Sequence, residues 1–329
     1  MSKLMVLVGA SVALAGAAVA QQDTRGFLQP EAKAMADQAM TLAGKDLTGD
    51  AASLCRPPQP RPADPPPAAT VVRFAPLKVF DDLYYVGSTY VGATIVRTSA
   101  GLVLIDSLTN DKAAAEELVG GMKALGLDPA QIKYLILTHG HGDHYGGVPY
   151  LRAHYPGFKV VASEADWGFM SKPSLMPDGT PDPSPKAPRG PDDIGYSGTL
   201  DLTVGNKTFT LVLTPGHTVG TTSLIYPVTY QGKRHVIAQW GGGSPSDARF
   251  SLDTVKTFAD RAKALGADIR WGSHPRSDWV ALAPQLAATG AKRDGLIAGQ
   301  DSVNRYFSIA QLCKQAVGIE RAARAKGPA

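Results

Sequence analysis

The sequence predicts an α/β fold in which two mixed β-sheets pack face to face, with helices on their outer faces. Two observations predict it. Short runs rich in β-branched and aromatic residues alternate with amphipathic helical segments through most of the chain. Several of the apolar runs also end in turns that carry histidine. Elements in this order bury their apolar faces in stacked layers, so we expect strands inside and helices outside.

The chain has 329 residues, a length that allows one large sandwich-type domain with an extension at each end. Residues 1–20 carry Lys3, an apolar run from Leu4 to Ala18 and a small residue at Ala20, which is the form of a cleaved secretory signal. The apolar run is shorter than the roughly 20 residues that a membrane-spanning helix needs. We therefore expect an exported, periplasmic protein without a stable membrane anchor.

An N-terminal extension precedes the main domain. Residues 26–46 carry Ala, Met, Leu and Lys at helical spacing, and we expect the helix to stop at Gly44 or Gly49. Proline then recurs between Arg56 and Pro67, which predicts an extended segment. The expected parts are the signal at 1–20, a helical and proline-rich extension at 21–70, the main domain at 71–290 and a helical tail at 291–329.

The first half of the main domain is expected to contain a meander of strands, a helix and two further strands. Asn110 is positioned to cap the helix and Gly126 to end it. A further helix is expected from about Gly147 to His154, and a later one, capped by Ser163 with Asp166, carries Trp167. The expected strands are Val71–Phe74, Leu83–Val86, Val91–Thr98, Leu102–Asp106, Ile132–Leu137 and Lys159–Ala162.

The second half begins with residues 171–195, which are rich in proline, glycine and aspartate and predict a long irregular loop. Such a loop is either a lid or binding wall, or an inert surface segment. Ser251 is positioned to cap a helix that follows the later strands. The expected later elements are strands Leu200–Val204, Thr208–Leu213, Thr222–Tyr226, His235–Ala238 and Asp268–Gly272, with helices Leu252–Leu265 and Asp301–Lys326.

Cys55 and Cys313 are the two cysteines of the chain. An oxidising compartment would permit a bridge between them, and such a bridge would staple the extension to the C-terminal helix. Closing so long a loop would stabilise the fold by roughly 4 to 5 kcal/mol in the chain-entropy model. Two unpaired thiols are equally compatible with the sequence.

The strongest chemical signal is the stretch 138–144, Thr-His-Gly-His-Gly-Asp-His, which follows an apolar strand. Neutral imidazole and carboxylate are the usual ligands of zinc. The alternate glycines relax the backbone, so neighbouring side chains can converge on one point. A solvated histidine-rich loop would need neither the aspartate in phase with the histidines nor the strand before it. We therefore expect a metal site at the carboxyl end of this strand.

Two further histidines lie in turns directly after apolar strands. His217 lies in the turn Thr-Pro-Gly-His-Thr, and His274 follows the strand that ends near Gly272. His154 and His235 lack such a context and are expected to be ordinary helix and strand residues. The formal net charge is +4, with no cluster of lysine or arginine, so we expect no nucleic-acid partner.

The pattern His-x-His-x-Asp-His, followed by Thr-Pro-Gly-His-Thr and a late histidine, resembles the metallo-β-lactamase superfamily. The likeness spans about Phe80 to Pro275. It implies an αββα sandwich with two zinc ions per chain at one edge of the sheets. In this resemblance the first zinc would be held by His139, His141 and His217, and the second by Asp143, His144 and His274.

The resemblance also implies roles for two carboxylates. Asp106 matches a carboxylate that orients a ligand histidine, although a simple turn residue at the end of a strand is the alternative. Two zinc ions roughly 3.5–4 Å apart lower the pKa of a shared water to about 7, which supplies hydroxide to attack a carbonyl. Asp143 would accept a hydrogen bond that orients this nucleophile. The implied activity is hydrolysis of a small-molecule substrate.

One absence distinguishes the branches of the superfamily. Many hydrolytic branches, including glyoxalase II and quorum-signal lactonases, bridge the metals with an aspartate at the end of the strand that reads His235 to Gly243 here, and this stretch contains no carboxylate. Asp247 comes several residues later, no cysteine lies near the motifs, and His139 is intact. The ligand set therefore resembles subclass B3 and implies β-lactam hydrolysis. The alternatives are hydrolysis of another cyclic amide, lactone or ester, a less favoured iron-dependent oxidoreductase, and a non-catalytic metal-binding module.

The substrate contacts are less defined by the sequence. Subclass B3 enzymes hold the substrate carboxylate with serine hydroxyls after this strand, and Ser244 and Ser246 are the nearest candidates here. Oligomeric state is not indicated. The residues that could line an apolar pocket, or equally belong to the core, are Trp167, Phe169, Met170, Met176 and Trp240.

Overall fold

The computed structural model describes residues 26–57, 71–172, 180, 186–274, 279–288 and 292–325. The expected signal, the proline-rich part of the extension from 58 to 70 and much of the 171–195 loop lie outside the described residues. Two mixed sheets pack face to face with helices on both outer faces. The predicted αββα sandwich is therefore confirmed.

The first sheet pairs its described strands in chain order. They are β1 (Leu77–Lys78), β2 (Leu83–Gly87), β3 (Gly92–Thr98), β4 (Gly101–Ile105), β5 (Ile132–Ile136), β6 (Lys159–Ser163) and β7 (Ile194–Tyr196). Pairing is antiparallel from β1 to β4 and parallel from β4 to β7. The carboxyl ends of β4, β5 and β6 consequently meet at one edge of the sheet.

The second sheet has the strand order β12, β11, β10, β9, β8 among the described residues. The strands are β8 (Thr199–Val204), β9 (Lys207–Leu213), β10 (Thr222–Tyr230), β11 (Lys233–Trp240) and β12 (Ile269–Gly272). Their pairing is antiparallel except between β11 and β12. The parallel pair brings the carboxyl ends of β11 and β12 together.

Strands β10 and β11 are longer than the sequence predicts. The expected strand Thr222–Tyr226 stops just before Pro227, a residue that lacks an amide donor. In the structure Pro227 lies opposite Val236 within a continuous antiparallel ladder. Gln231 and Gly232 close this hairpin with φ values of 50° and 72°, the left-handed conformation that a tight hairpin turn requires.

The strand expected at Val71–Phe74 is not formed. Arg73 makes one isolated bridge to Ser88, and Val71 and Val72 are 57% and 53% exposed. A β-branched run favours a strand only when it packs against neighbours, and these two valines bury little surface. This prediction was wrong for that reason.

The helices begin where the sequence predicts capping residues. The side chains of Asn110, Ser163 and Ser251 each accept a hydrogen bond from a backbone amide in the first turn. Gly44 and Gly126 follow helix ends with φ values of 58° and 69°. The helices are α1 (Pro30–Ala43), α2 (Thr48–Leu54), α3 (Asp111–Ala113, continuing through Ala114–Val119 and Gly120–Ala124), α4 (Gly142–Tyr145), α5 (Val148–His154), α6 (Glu164–Met170), α7 (Leu252–Ala264), α8 (Trp279–Ala287) and α9 (Gln300–Ala325).

Three apolar layers hold these elements together. One lies between the two sheets, and a second lies between the first sheet and helices α3, α5 and α6. The third lies between the second sheet and helices α1, α2, α7 and α9. Both faces of strand β2 are buried, because Leu83 packs in the layer between the sheets and Tyr84 in the layer between the first sheet and its helices. This explains why the sequence of β2 is apolar throughout.

The extension and the tail are joined to each other. The buried carboxylate of Glu320 in α9 accepts hydrogen bonds from the amides of Leu28 and Gln29 at 2.9 and 3.1 Å, just before α1. Cys55 and Cys313 form a disulfide with their Cα atoms 4.4 Å apart, which decides between the two alternatives that the sequence left open. Among the described residues no helix is both long and apolar enough to span a bilayer.

Reduction of the Cys55–Cys313 bridge is expected to lower the free energy of unfolding by about 2 to 4 kcal/mol, because the bridge restricts the unfolded chain. Urea unfolding of the full chain with and without reductant measures this difference. A double variant with both cysteines replaced by alanine should show no response to reductant. Detection of two free thiols after denaturation without reductant would contradict the bridge.

Candidate metal centre

Histidine and aspartate side chains from both sheets meet at one edge of the sandwich. Asp106 follows β4, and residues 138–144 follow β5 and enter α4. His217 lies in the turn between β9 and β10, and His274 follows β12. The structure thus brings together the strand ends that the sequence singled out.

His139 lies at the middle of the histidine cluster. Its ring centroid is 3.8 Å from that of His144 and 4.5 Å from that of His217. Two sets of three imidazoles place ligand atoms within 4.8 Å of one another. These sets are His139, His141 and His217, and His139, His144 and His274.

Pairs of ring nitrogens approach each other at two points. Nδ1 of His141 is 3.1 Å from Nε2 of His217, and Nε2 of His144 is 3.2 Å from Nε2 of His274. Oδ2 of Asp143 lies 3.6 Å from Nε2 of His144. All six residues expected to be ligands therefore surround one small region.

The donor set fits a metal such as zinc. Nε2 of His139 and Nδ1 of His217 are buried without a hydrogen-bond partner among the described residues. Burial lowers the pKa of His139 well below its ordinary value and that of His217 to about 3. Burial also lowers the pKa values of His141 and His274. These side chains are neutral at pH 7, which is the form that binds zinc.

Hydrogen bonds at Nδ1 orient two of the rings. Nδ1 of His274 donates to the carbonyl oxygen of Tyr90 at 3.0 Å, and Nδ1 of His144 lies 2.7 Å from Oδ2 of Asp106. Each contact leaves Nε2 directed at the centre. Burial opposes protonation of His144, but the charges of Asp106 and Asp143 outweigh it and raise the pKa of His144.

Asp106 combines both functions that the sequence allowed. Its φ of 63° is left-handed, as in a turn at the end of a strand. Its carboxylate also accepts hydrogen bonds at 2.8 Å from the amide and from the hydroxyl of Thr138, besides the contact with His144. Asp106 is 1% exposed. It therefore links the end of β4 to both ends of the histidine loop.

The end of β11 has no room for a bridging carboxylate. A Cβ atom at Gly241 would lie 2.0 Å from the carbonyl oxygen of Thr222. Gly242 has a φ of 78°, and a Cβ atom there would lie 2.5 Å from Cβ of His217. Asp247 instead forms an ion pair with Arg249. Steric packing of the glycine run against the histidine turn accounts for the absence seen in the sequence.

The substrate candidates proposed from the sequence are dispersed. Ser244 and Ser246 lie after β11 and share a hydrogen bond between their hydroxyls at 3.0 Å. Trp167 is buried beneath the first sheet, and its indole donates to the carbonyl oxygen of Ile194 at 3.1 Å. Trp240 packs against Phe250 in the layer beside the second sheet. The two tryptophans thus serve as core residues.

The remaining apolar candidates also differ in their surroundings. Met170 is buried, Phe169 has its ring 6.2 Å from that of His141, and Met176 lies outside the described residues. A cavity of about 560 Å³ opens beside His141 and His217. Phe169 is the sequence candidate that lines this cavity.

Sequence reasoning missed three residues around the cleft. Val219 and Arg249 line the same cavity, and Val219 is 63% exposed. Tyr90 is half exposed, and burial together with the nearby Asp143 carboxylate raises the pKa of its hydroxyl to about 12. Each lies in a loop without a motif of its own. Only Val219 had a signal in the sequence, since it lies two residues after His217.

Asp166 was also missed as a site residue, because its spacing from Ser163 suggested a helix cap. Its buried carboxylate instead accepts hydrogen bonds from Gly140, Thr218 and Gly220. Its position just after β6, at the same sheet edge as the histidines, was the signal that could have indicated this function.

Comparisons with known proteins agree with this geometry. The family model of the metallo-beta-lactamase superfamily matches residues 87–238. N-acyl homoserine lactonase AttM of Rhizobium radiobacter is 28% identical over 115 residues, which are 32% of this chain and 40% of the relative. A hydroxyacylglutathione hydrolase of Yersinia pestis is 31% identical over 86 residues, 26% of each protein. The chain thus matches less than half the length of these curated relatives.

Solved structures match over a longer part of the chain. BJP-1, a subclass B3 metallo-beta-lactamase of Bradyrhizobium japonicum, has a TM-score of 0.60 and 23% identity over 77% of this chain and 97% of its own. The metallo-beta-lactamase MIM-1 of Novosphingobium pentaromativorans has a TM-score of 0.57 and 21% identity over 78% of this chain and 94% of its own. Residues 87–238 of the chain therefore match the metallo-beta-lactamase superfamily, and the fold of the chain resembles that of subclass B3 members.

Proposed function

We propose that this protein is an exported hydrolase with two zinc ions that opens the β-lactam ring. The observation that carries the proposal is the cluster of five buried or half-buried imidazoles and Asp143, combined with glycine where other branches place a bridging aspartate. In this proposal one zinc is bound by His139, His141 and His217. The other is bound by Asp143, His144 and His274.

The chemistry divides between the metals and the chain. Bound zinc supplies a water-derived nucleophile at neutral pH and polarises a carbonyl oxygen. Asp143 would accept a hydrogen bond from the attacking group and orient it. Burial opposes ionisation of Asp143, but its interactions with the neighbouring side chains outweigh burial and lower its pKa, so it is available as an acceptor. The hydroxyl of Tyr90 lies close to the carboxylate of Asp143 and contributes to its lowered pKa.

The cavity beside His141 and His217 fits a substrate with apolar and anionic groups. Phe169 and Val219 offer apolar surface, and Arg249 contributes a guanidinium group. The carboxylate of Asp247 accepts hydrogen bonds from Nε and Nη2 of Arg249 at 3.2 and 2.9 Å, which fixes the plane of the guanidinium group. A carboxylate on the substrate could pair with the remaining edge of the guanidinium group. Ser244 and Ser246 are weaker candidates because each hydroxyl already bonds the other.

Hydrolysis of a lactone or thioester is the second candidate. It is favoured by the names of the two sequence relatives, a homoserine lactonase and a hydroxyacylglutathione hydrolase. Both reactions attack a carbonyl, so they use the same groups in the site. The nature of the leaving group distinguishes the candidates.

The proposed export depends on the signal form of residues 1–20 and agrees with the disulfide, since bridges persist in oxidising compartments. Expression with the native N-terminus should give a periplasmic protein whose first residue lies at or near Gln21. N-terminal sequencing of the mature protein measures this. An intact Met1 on the mature protein would contradict export by cleavage.

A panel of β-lactams, acyl homoserine lactones, thioesters and aryl esters tests the substrate. We expect β-lactam opening that is lost on chelation and restored by zinc, because the nucleophile depends on the metal. His139→Ala and Asp143→Ala should each reduce kcat/KM by at least about 100-fold. Metal analysis of the same samples should find two equivalents of zinc in the unmodified protein.

His154→Ala is the matched control, since this histidine contacts Tyr150 rather than the metal centre. Its turnover should equal that of the unmodified protein. Hydrolysis of a lactone or ester without any β-lactam opening would move the assignment to the second candidate. Turnover that persists in metal-free protein would overturn both.

Arg249→Gln is expected to raise KM about 10- to 100-fold for a β-lactam that carries a free carboxylate, because a charge-assisted hydrogen bond is lost. The methyl ester of the same substrate should be nearly unaffected, and Arg249→Lys should restore part of the loss. Arg189→Gln, which removes an arginine paired with Glu164, is the control. Equal effects on acid and ester would contradict an anion contact at Arg249.

A further inference from the structure

Asp166 touches both loops that carry the first histidine set, although it is not a ligand. Oδ2 accepts from the amide of Gly140 and from the hydroxyl of Thr218, each at 2.8 Å. Oδ1 accepts from the amide of Gly220 at 2.9 Å. One carboxylate therefore spans two segments that are far apart in sequence.

The partners of Asp166 are specific to one set of histidines. Gly140 lies between His139 and His141, and Thr218 is the neighbour of His217. In contrast, the carboxylate of Asp106 contacts His144 directly. Asp106 also accepts from the amide and hydroxyl of Thr138 and so restrains both ends of the histidine loop, whereas Asp166 joins the middle of that loop to the His217 turn.

Packing holds Asp166 in this position. It is 1% exposed, and its own amide donates to Oγ of Ser163, which in turn donates to the carbonyl oxygen of Gly220 at 2.8 Å. A Cβ atom at Gly220 would lie 2.6 Å from the Asp166 carboxyl carbon. The backbone of the turn therefore lies directly against the carboxylate, with no space for a shifted arrangement.

We propose that Asp166 is a positioning residue that sets the distance between the His139–His141 loop and the His217 turn, and thereby the affinity of the first metal position. The proposal rests on the two-zinc function and extends it to a residue outside the ligand set. Because a carboxylate accepts from three donors at once, neither asparagine rotamer can replace it. Each rotamer directs an amide N–H at a backbone or hydroxyl donor.

The test is a titration of apo-protein with zinc against a chromophoric chelator. Asp166→Asn should weaken one of the two binding steps about 10- to 100-fold and change the other less than about 3-fold, as expected when a partner beyond the ligands is lost. Asp106→Asn should weaken the other step. The two steps are distinguished in a His217→Ala background. There Asp166→Asn should have no further effect, while Asp106→Asn should still weaken binding.

A second pair of variants, with smaller changes, tests the proposal if Asp166→Asn does not fold. Thr218→Val removes one hydrogen bond to Asp166 and should weaken the same step, and Thr218→Ser should restore it. Amide hydrogen exchange in metal-free protein gives a readout without metal. Exchange at Gly140 and Gly220 should be faster in Asp166→Asn, since both amides lose their acceptor.

Asp193→Asn is the matched control. Asp193 is also a buried carboxylate, and it accepts from the amides of Val160 and Gly190 without contacting the histidine loops. It should lower stability without altering either metal affinity. Equal weakening of both steps by Asp166→Asn, or an equal effect of Asp193→Asn, would overturn the proposal. Unmodified protein that binds no zinc would overturn the proposed function together with this inference.

Discussion

The rest of the structure depends on one constraint: several neutral imidazoles must be held close together, largely out of water, without hydrogen bonds to satisfy each nitrogen. His139 illustrates the cost, since it is 1% exposed and its Nε2 has no partner among the described residues. The loop cannot hold itself in place, because its alternate glycines leave the backbone free. Buried carboxylates supply the missing restraint, with Asp106 on one side of His139 and Asp166 on the other.

The αββα architecture makes this restraint possible. Parallel pairing of β4, β5 and β6 delivers Asp106, the histidine loop and Asp166 to the same edge. The second sheet brings its own strand ends to this edge, with His217 after β9 and His274 after β12. The outer layer of terminal helices covers the second sheet, and the disulfide joins α2 to α9 across that layer. The metal centre therefore lies at the edge where the two sheets meet, and helices cover the outer face of each sheet.

The local features were predictable because they depend on short-range chemistry. Helix caps at Asn110, Ser163 and Ser251 follow from side chains that bond amides three residues away. Most strands follow from apolar runs bounded by turns. Val71–Phe74 failed because a strand also needs a partner, and β10 was underestimated because Pro227 is tolerated within its hairpin. These errors concern pairing, which a single stretch of sequence does not contain.

The sequence by itself determined the chemistry: three histidines and an aspartate within six positions, two later histidines at strand ends, and no carboxylate in the stretch from His235 to Gly243. Residue types and spacing suffice for this, since ligand atoms are a property of the side chain. Only the tertiary structure decided which other residues serve the site. Asp166 changed from a helix cap to a link between loops, and Trp167 became part of the core, because such contacts join residues far apart in the chain.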